Sequence, residues 1–87
     1  MTLTLLTRAH CHLCDEMREA IRPIASAFSA SIAVVDVDAD PALAAAFGDH
    51  VPVLFAGDPG NGRELCRYRL DRARVVAALA PSGTPLD

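Results

Sequence analysis

The sequence predicts an α/β fold in the order β-α-β-α-β-β-α, a mixed four-stranded sheet flanked by helices. Three observations carry that reading. Two short β-branched and aliphatic runs, residues 2–7 and 32–37, bracket a longer stretch whose apolar side chains recur at helical spacing. A third run, Val51-Pro52-Val53-Leu54-Phe55, passes through a dense turn into a fourth. Aspartates lead two further helices, at Asp40-Pro41 and at Asp71.

Taken in order, residues 2–7 read as a strand and Arg8-Ala9-His10-Cys11 as its exit. From 12 to 28, Leu13, Met17, Ala20, Ile21, Ile24 and Phe28 mark a helix with one buried stripe. Asp15 and Glu16 fall in its first turn, where carboxylates suit the positive end of the helix. Pro23 lies inside the pattern and predicts a kink or a break. Residues 32–37 form a near-continuous β-branched run, the signature of a strand buried on both faces. Asp40 then caps a short helix over 42–47, with Pro41 at its first position and Gly48 at its end.

The proline-led strand over 51–55 follows. Gly57-Asp58-Pro59-Gly60-Asn61-Gly62 makes the turn, and residues 64–70 return as the second arm of a hairpin. Asp71 caps a last helix through Val75, Val76 and Leu79 that ends near Pro81, and residues 82–87 read as a frayed tail. The first two strands, joined through a helix, are expected to be parallel with a right-handed crossover. The last two are antiparallel.

At 87 residues the chain holds one domain, residues 1–87, and 52% apolar residues suffice for a packed core. Its net charge of −3 argues against nucleic-acid binding, which favours a basic patch or stripe. The opening Met1-Thr2-Leu3-Thr4-Leu5-Leu6-Thr7 is too short and too threonine-rich for a signal peptide. No apolar run nears the ~20 residues of a membrane helix. The expectation is a soluble cytoplasmic protein, in a compartment that keeps thiols reduced. There a Cys-x-x-Cys pair reads as catalytic or metal-binding rather than as part of a disulfide framework.

The informative motif is Cys11-His12-Leu13-Cys14, placed where the first strand hands over to the first helix. Residues three apart on a helix bring their Cα atoms to about 5 Å, inside the ~4.4–6.8 Å that a disulfide accepts. The unpaired N–H groups and the dipole of a helix start stabilise a thiolate, which is the reactive species. Cys11, at the exposed edge, is the expected nucleophile, and Cys14, one turn in, the resolving partner. Arg8, His10 and His12 add positive charge nearby, while Asp15 and Glu16 oppose it. Thiol–disulfide exchange follows, through a mixed disulfide on Cys11 that Cys14 resolves. Two other readings stand beside it: a zinc site, for which the further ligands would come from His10, His12, His50 and Cys66, and an inert pair.

These residues resemble the thioredoxin superfamily, and small glutaredoxin-like proteins in particular. The resemblance spans residues 2 to 80 and joins three features: the strand-Cys-x-x-Cys-helix start, the Val51-Pro52 strand opening, and the hairpin followed by a last helix. It implies a thioredoxin-like fold and a cis proline facing the cysteines. It also implies that Val51 and Pro52 bind substrate, the residue before the proline through its backbone. Arg8 stands three residues before Cys11, where glutaredoxins often carry a lysine that contacts a carboxylate of glutathione; a solvated surface arginine is the alternative. Glutathione is thus a candidate co-substrate, and no tightly bound cofactor or metal is expected. Two departures are visible. His50 replaces the threonine of a Thr-Val-Pro motif, and Arg67-Tyr68-Arg69-Leu70 stand where glutaredoxins usually show Gly-Gly, so that bulky side chains would crowd a tripeptide.

Among the remaining residues, Cys66 reads as a small buried apolar group in phase with Tyr68 and Leu70. Asp36, Asp38 and Asp40 read as strand-end and capping residues. Arginines 63, 67, 69, 72 and 74 make a local basic stretch, solvated by default or docking an acidic partner protein. The expected activity is disulfide reduction on a protein or small-molecule disulfide by a monomer, without nucleic acid or membrane. A binding module built on the same scaffold, and metal or iron–sulfur handling, are its rivals.

Overall fold

The computed structural model describes residues 1–80. The expected end of the last helix at Pro81 and the tail at 82–87 therefore lie outside the described residues. The elements are β1 (Thr2–Thr7), α1 (His12–Ala27), β2 (Ser31–Asp36), a single 3₁₀ turn (Val37–Ala39), α2 (Pro41–Phe47), β3 (Val53–Ala56), β4 (Arg63–Arg67) and α3 (Arg72–Leu79). The sheet is four-stranded and mixed, in the order β2-β1-β3-β4. β1 runs parallel to β2 and antiparallel to β3, and β3 pairs antiparallel with β4. The α/β thioredoxin-like architecture expected from the sequence is the one observed.

Two apolar clusters hold the layers together. In one, Met17, Ile21, Ile24 and Ala25 of α1 and Val75 of α3 pack on Leu3, Leu5, Leu54 and Leu65. In the other, Leu6, Val53 and Phe55 pack with Val37, and Leu43 and Phe47 of α2 cover them. β1 and β3 therefore bury side chains on both faces, and they are the central strands. The site is built at the end of β1, one of these two central strands.

Several expectations change. The β-branched run of β2 is not buried on both faces: β2 is an edge strand, and Val34 is 41% exposed. Run composition alone does not tell a central strand from an edge one. α1 continues unbroken through Pro23, whose exposed position lets the carbonyl it leaves without a partner face water. On α1 the buried stripe is Cys14, Met17, Ile21, Ile24 and Ala25, whereas Leu13, Ala20 and Phe28 are exposed. β3 begins after Pro52, at Val53, and β4 stops at Arg67 because Tyr68 takes a positive φ of 68° that breaks the ladder. A bulge between Leu54 and Phe55 in the β3–β4 register leaves Leu65 as the extra residue, and its side chain is buried in the core.

Candidate active site at the start of α1

Cys11 is the N-cap of α1, with φ −111° and ψ 104°. It thus occupies the position usually taken by serine or aspartate, and its sulfur does their work. The Cys14 N–H donates to Cys11 Sγ over 3.1 Å, and the Asp15 N–H donates to the Cys11 carbonyl over 3.2 Å. Cys11 and Cys14 are joined in a disulfide with their Cα atoms 5.2 Å apart. Cys14 is buried at 2% exposure, while Cys11 is half-buried. Of the two, Cys11 is the more open to solvent.

The sheet brings Pro52 to the same end. Leu6 pairs with Val53, so one step along that register Thr7 lies opposite Pro52, four residues before Cys11. The Val51–Pro52 peptide bond is cis. Pro52 is buried and Val51 half-buried, and among the described residues no hydrogen bond engages the Val51 N–H or carbonyl. Tyr68 closes over this segment. Its N–H donates to the Pro52 carbonyl over 2.8 Å, and its hydroxyl meets His50 Nδ1 at 2.5 Å. From sequence, His50 reads as a departure from a motif or a spare zinc ligand and Tyr68 as a strand residue, and neither reading joins the two. The missing signal was the positive φ that turns Tyr68 back toward Pro52, at a residue type that seldom takes it.

The other expected site residues divide. His10, with φ 60°, and His12 are exposed beside Cys11. Arg8 is held elsewhere. Its Nε and Nη2 grip the two Asp38 oxygens at 3.0 and 2.9 Å, and Nη1 donates to the Gly48 carbonyl at 2.9 Å. The Asp38 hydrogen bonds raise the Arg8 pKa, and the same bonds hold the Asp38 carboxyl below its usual range. Arg8 thus ties the end of β1 to the 3₁₀ turn and to the end of α2. A Cβ at Gly48 would meet the Ala44 carbonyl at 2.5 Å and Arg8 Nη2 at 3.2 Å, so the backbone contact above all favours glycine there.

Leu13, 40% exposed, lines a groove with Met17, Ala20, Tyr68 and Leu70 beside the cysteines. Cys66 is half-buried, and burial pushes its thiol above the usual range. Among the described residues, no group of three or more His, Cys, Asp or Glu is placed to hold a metal, and no helix is long and apolar enough to cross a membrane.

Residues 2–80 match the family described as Glutaredoxin-like domain (DUF836). The chain belongs to that family. This glutaredoxin-like protein is 34% identical over 90 residues to the Uncharacterized protein Rv0508 of Mycobacterium tuberculosis, a match covering 95% of this chain and 89% of the relative. Among solved structures, it resembles protein Ne2328 from Nitrosomonas europaea with a TM-score of 0.75 and 34% identity, over 87% of each chain. Protein XcR50 from X. campestris matches with a TM-score of 0.65 and 43% identity, over 91% of this chain and 99% of that one. Thioredoxin 1 from Thermosipho africanus shares the fold, at TM-score 0.63 and 24% identity, over 91% of this chain and 90% of that one. A glutaredoxin-like member of the thioredoxin fold with a Cys-x-x-Cys pair at disulfide distance carries the parts of a redox-type function.

Proposed function

We propose that this glutaredoxin-like protein is a thiol–disulfide oxidoreductase that reduces protein or small-molecule disulfides, glutathione mixed disulfides included, through Cys11 and Cys14. The observation that supports it most is the Cys11 sulfur at the α1 N-cap, accepting the Cys14 N–H at 3.1 Å with Cys14 buried behind it. In the reduced protein that N–H and the helix dipole favour a thiolate on Cys11. The thiolate attacks one sulfur of the substrate disulfide, a mixed disulfide forms, and the other substrate sulfur leaves as a thiolate that takes a proton. Cys14 then gives up its proton and attacks Cys11 Sγ, which frees the second substrate thiol. Two electrons have passed to the substrate, and the Cys11–Cys14 disulfide is what remains. An external thiol, glutathione or a reductase dithiol, returns the electrons.

Substrate positioning falls to the segment before β3. An extended substrate backbone pairs with the free N–H and carbonyl of Val51, beside Pro52, and this is the β-addition mode of peptide recognition. His10 and His12 flank the entering disulfide. Arg8, held by Asp38 and Gly48, braces the end of β1 instead of meeting the substrate. The working setting we propose is the cytoplasm, with the protein acting as a monomer.

The test is turnover of a small disulfide with dithiothreitol as the electron donor. Cys11→Ser lowers the rate by roughly a thousandfold or more, as removal of a nucleophile does. Cys14→Ser leaves the first step intact and accumulates the mixed disulfide. A Cys11→Ser protein that reduces disulfides as fast as the parent would overturn the assignment, and a wild-type protein inert toward every disulfide would favour a binding module.

A further inference from the structure

Charge is distributed unevenly along this chain. Residues 63–74 carry five arginines against two acids, a net of +3 in a chain whose total is −3, so that the remainder stands at −6. The structure gathers four of these arginines, Arg67, Arg69, Arg72 and Arg74, around one open groove of about 580 Å³ between β4 and α3, with Cys66 at its side. Both acids of the stretch line the groove as well, so its lining keeps a net charge of +2. Glu64 holds Arg67 with contacts of 2.6 and 2.7 Å, and Asp71 accepts the Arg74 N–H as the cap of α3. Arg69, Arg72 and Arg74 are exposed and, among the described residues, make no ion pair. An unneutralised basic face on an acidic protein costs self-repulsion and attracts anions.

The position matters as much as the charge. Arg69 and Leu70 line this basic groove and also the groove that holds Leu13, Met17 and Tyr68 beside the cysteines. The two grooves are therefore neighbours across the turn that follows β4, and a chain lying in one continues into the other. Tyr68, which lines the second groove next to the shared Arg69, is held by Pro52 and His50.

We propose that the β4–α3 groove docks an acidic segment, a short run of aspartate and glutamate, carried on the disulfide protein that reacts at Cys11. This rests on the redox reading given above and names its substrate class. Arg69, Arg72 and Arg74 supply the attraction and the orientation. The groove beside Leu13 then receives the residues nearest the reacting cysteine. Arginine pairs with the carboxylates of such a segment through charge-assisted, often bidentate, hydrogen bonds. Screening by salt falls on this contact because it is exposed.

The experiment is single-turnover stopped-flow with the full-length reduced protein. The probes are three synthetic peptides, each with one cysteine as its mixed disulfide with thionitrobenzoate and a tail of four glutamates, glutamines or arginines. The neutral bis(2-hydroxyethyl) disulfide serves as reference. At low salt the glutamate peptide reacts roughly tenfold or more faster than the arginine peptide, and the gap closes near 0.5 M salt, as steering by exposed charge does. The double variant R72E/R74E reverses the order and leaves the neutral reference unchanged. R18E/R22E alters net charge equally at residues that line neither groove and keeps the wild-type order. R69E alone gives an intermediate result, and far-UV circular dichroism verifies that each variant is folded. Equal rates for the three peptides, with the neutral disulfide still reacting, overturn the docking surface. A loss of order in R18E/R22E as large as that in R72E/R74E does the same. If no disulfide reacts at all, it is the redox reading that fails.

Discussion

Cys11 and Cys66 are the same side chain in opposite settings. Cys11 begins a helix, stands half-open to solvent and receives a backbone N–H on its sulfur. Cys66 sits in β4 opposite Leu54, packs against the main apolar cluster, and is driven by burial toward the protonated thiol. Reactivity here belongs to position in the fold, and the residue type alone does not confer it. A helix start offers donors to a developing negative charge, whereas a strand in a packed sheet offers hydrocarbon.

The largest effect expected from this contrast is kinetic. Cys66→Ala leaves single-turnover disulfide reduction within about twofold of the parent, as fits a residue outside the chemistry, whereas Cys11→Ser removes it. A stopped-flow comparison checks both, and a Cys66→Ala protein that loses activity while staying folded would erase the distinction. The next effect concerns stability. Leu54, fully buried opposite Cys66, costs about 2–5 kcal/mol when cut to alanine. Cys66→Ala costs about 1 kcal/mol, and urea unfolding of the reduced proteins measures the two side by side.

Much of this contrast was legible in the sequence. The motif at Cys11, its place between a β run and a helical pattern, the Val51-Pro52 strand opening and the caps at Asp40 and Asp71 are local signals, and local signals survive folding. Edge or centre was not legible. The β-branched run of β2 fits either, and only pairing puts β1 and β3 inside. The role of Arg8 was also hidden, because Asp38 and Gly48 lie 30 and 40 residues away in sequence. Tyr68 was read as a strand residue, since nothing in an Arg-Tyr-Arg-Leu run announces a positive φ. The exposed flank at Leu13 and Ala20 differs from the buried stripe by a single helical step, which periodicity resolves poorly.

A smaller effect separates the two thiols by pH. With a raised pKa, Cys66 forms thiolate only above the usual thiol range, so it is alkylated slowly at neutral pH and faster as pH climbs. Cys11 in the reduced protein is alkylated first at every pH below that range. Peptide mass spectrometry after timed iodoacetamide exposure gives both profiles, and equal rates would mean that Cys66 is not shielded.

The smallest effect lies beside Cys66 on β4. The hydrogen bonds from Arg67 hold the Glu64 carboxyl below its ordinary range. The folded pKa is the lower one, so the stabilisation is present above the unfolded glutamate value near ~4.3. It is lost as pH falls through the folded value. Glu64→Gln therefore flattens the acid side of the stability curve by at most about 1 kcal/mol, as for other partly exposed pairs. Urea midpoints measured between pH 3 and pH 7, roughly the range in which a glutamate titrates, show whether it does.

In the proposed reaction the first covalent bond to substrate forms on Cys11. That step is tested most directly by treating the reduced Cys14→Ser protein with a peptide disulfide, quenching with acid and mapping the adduct by mass spectrometry. The expected product carries one peptide per chain, attached at Cys11, with Cys66 free. An adduct on Cys66, or an unmodified Cys11 in a folded protein, would contradict it.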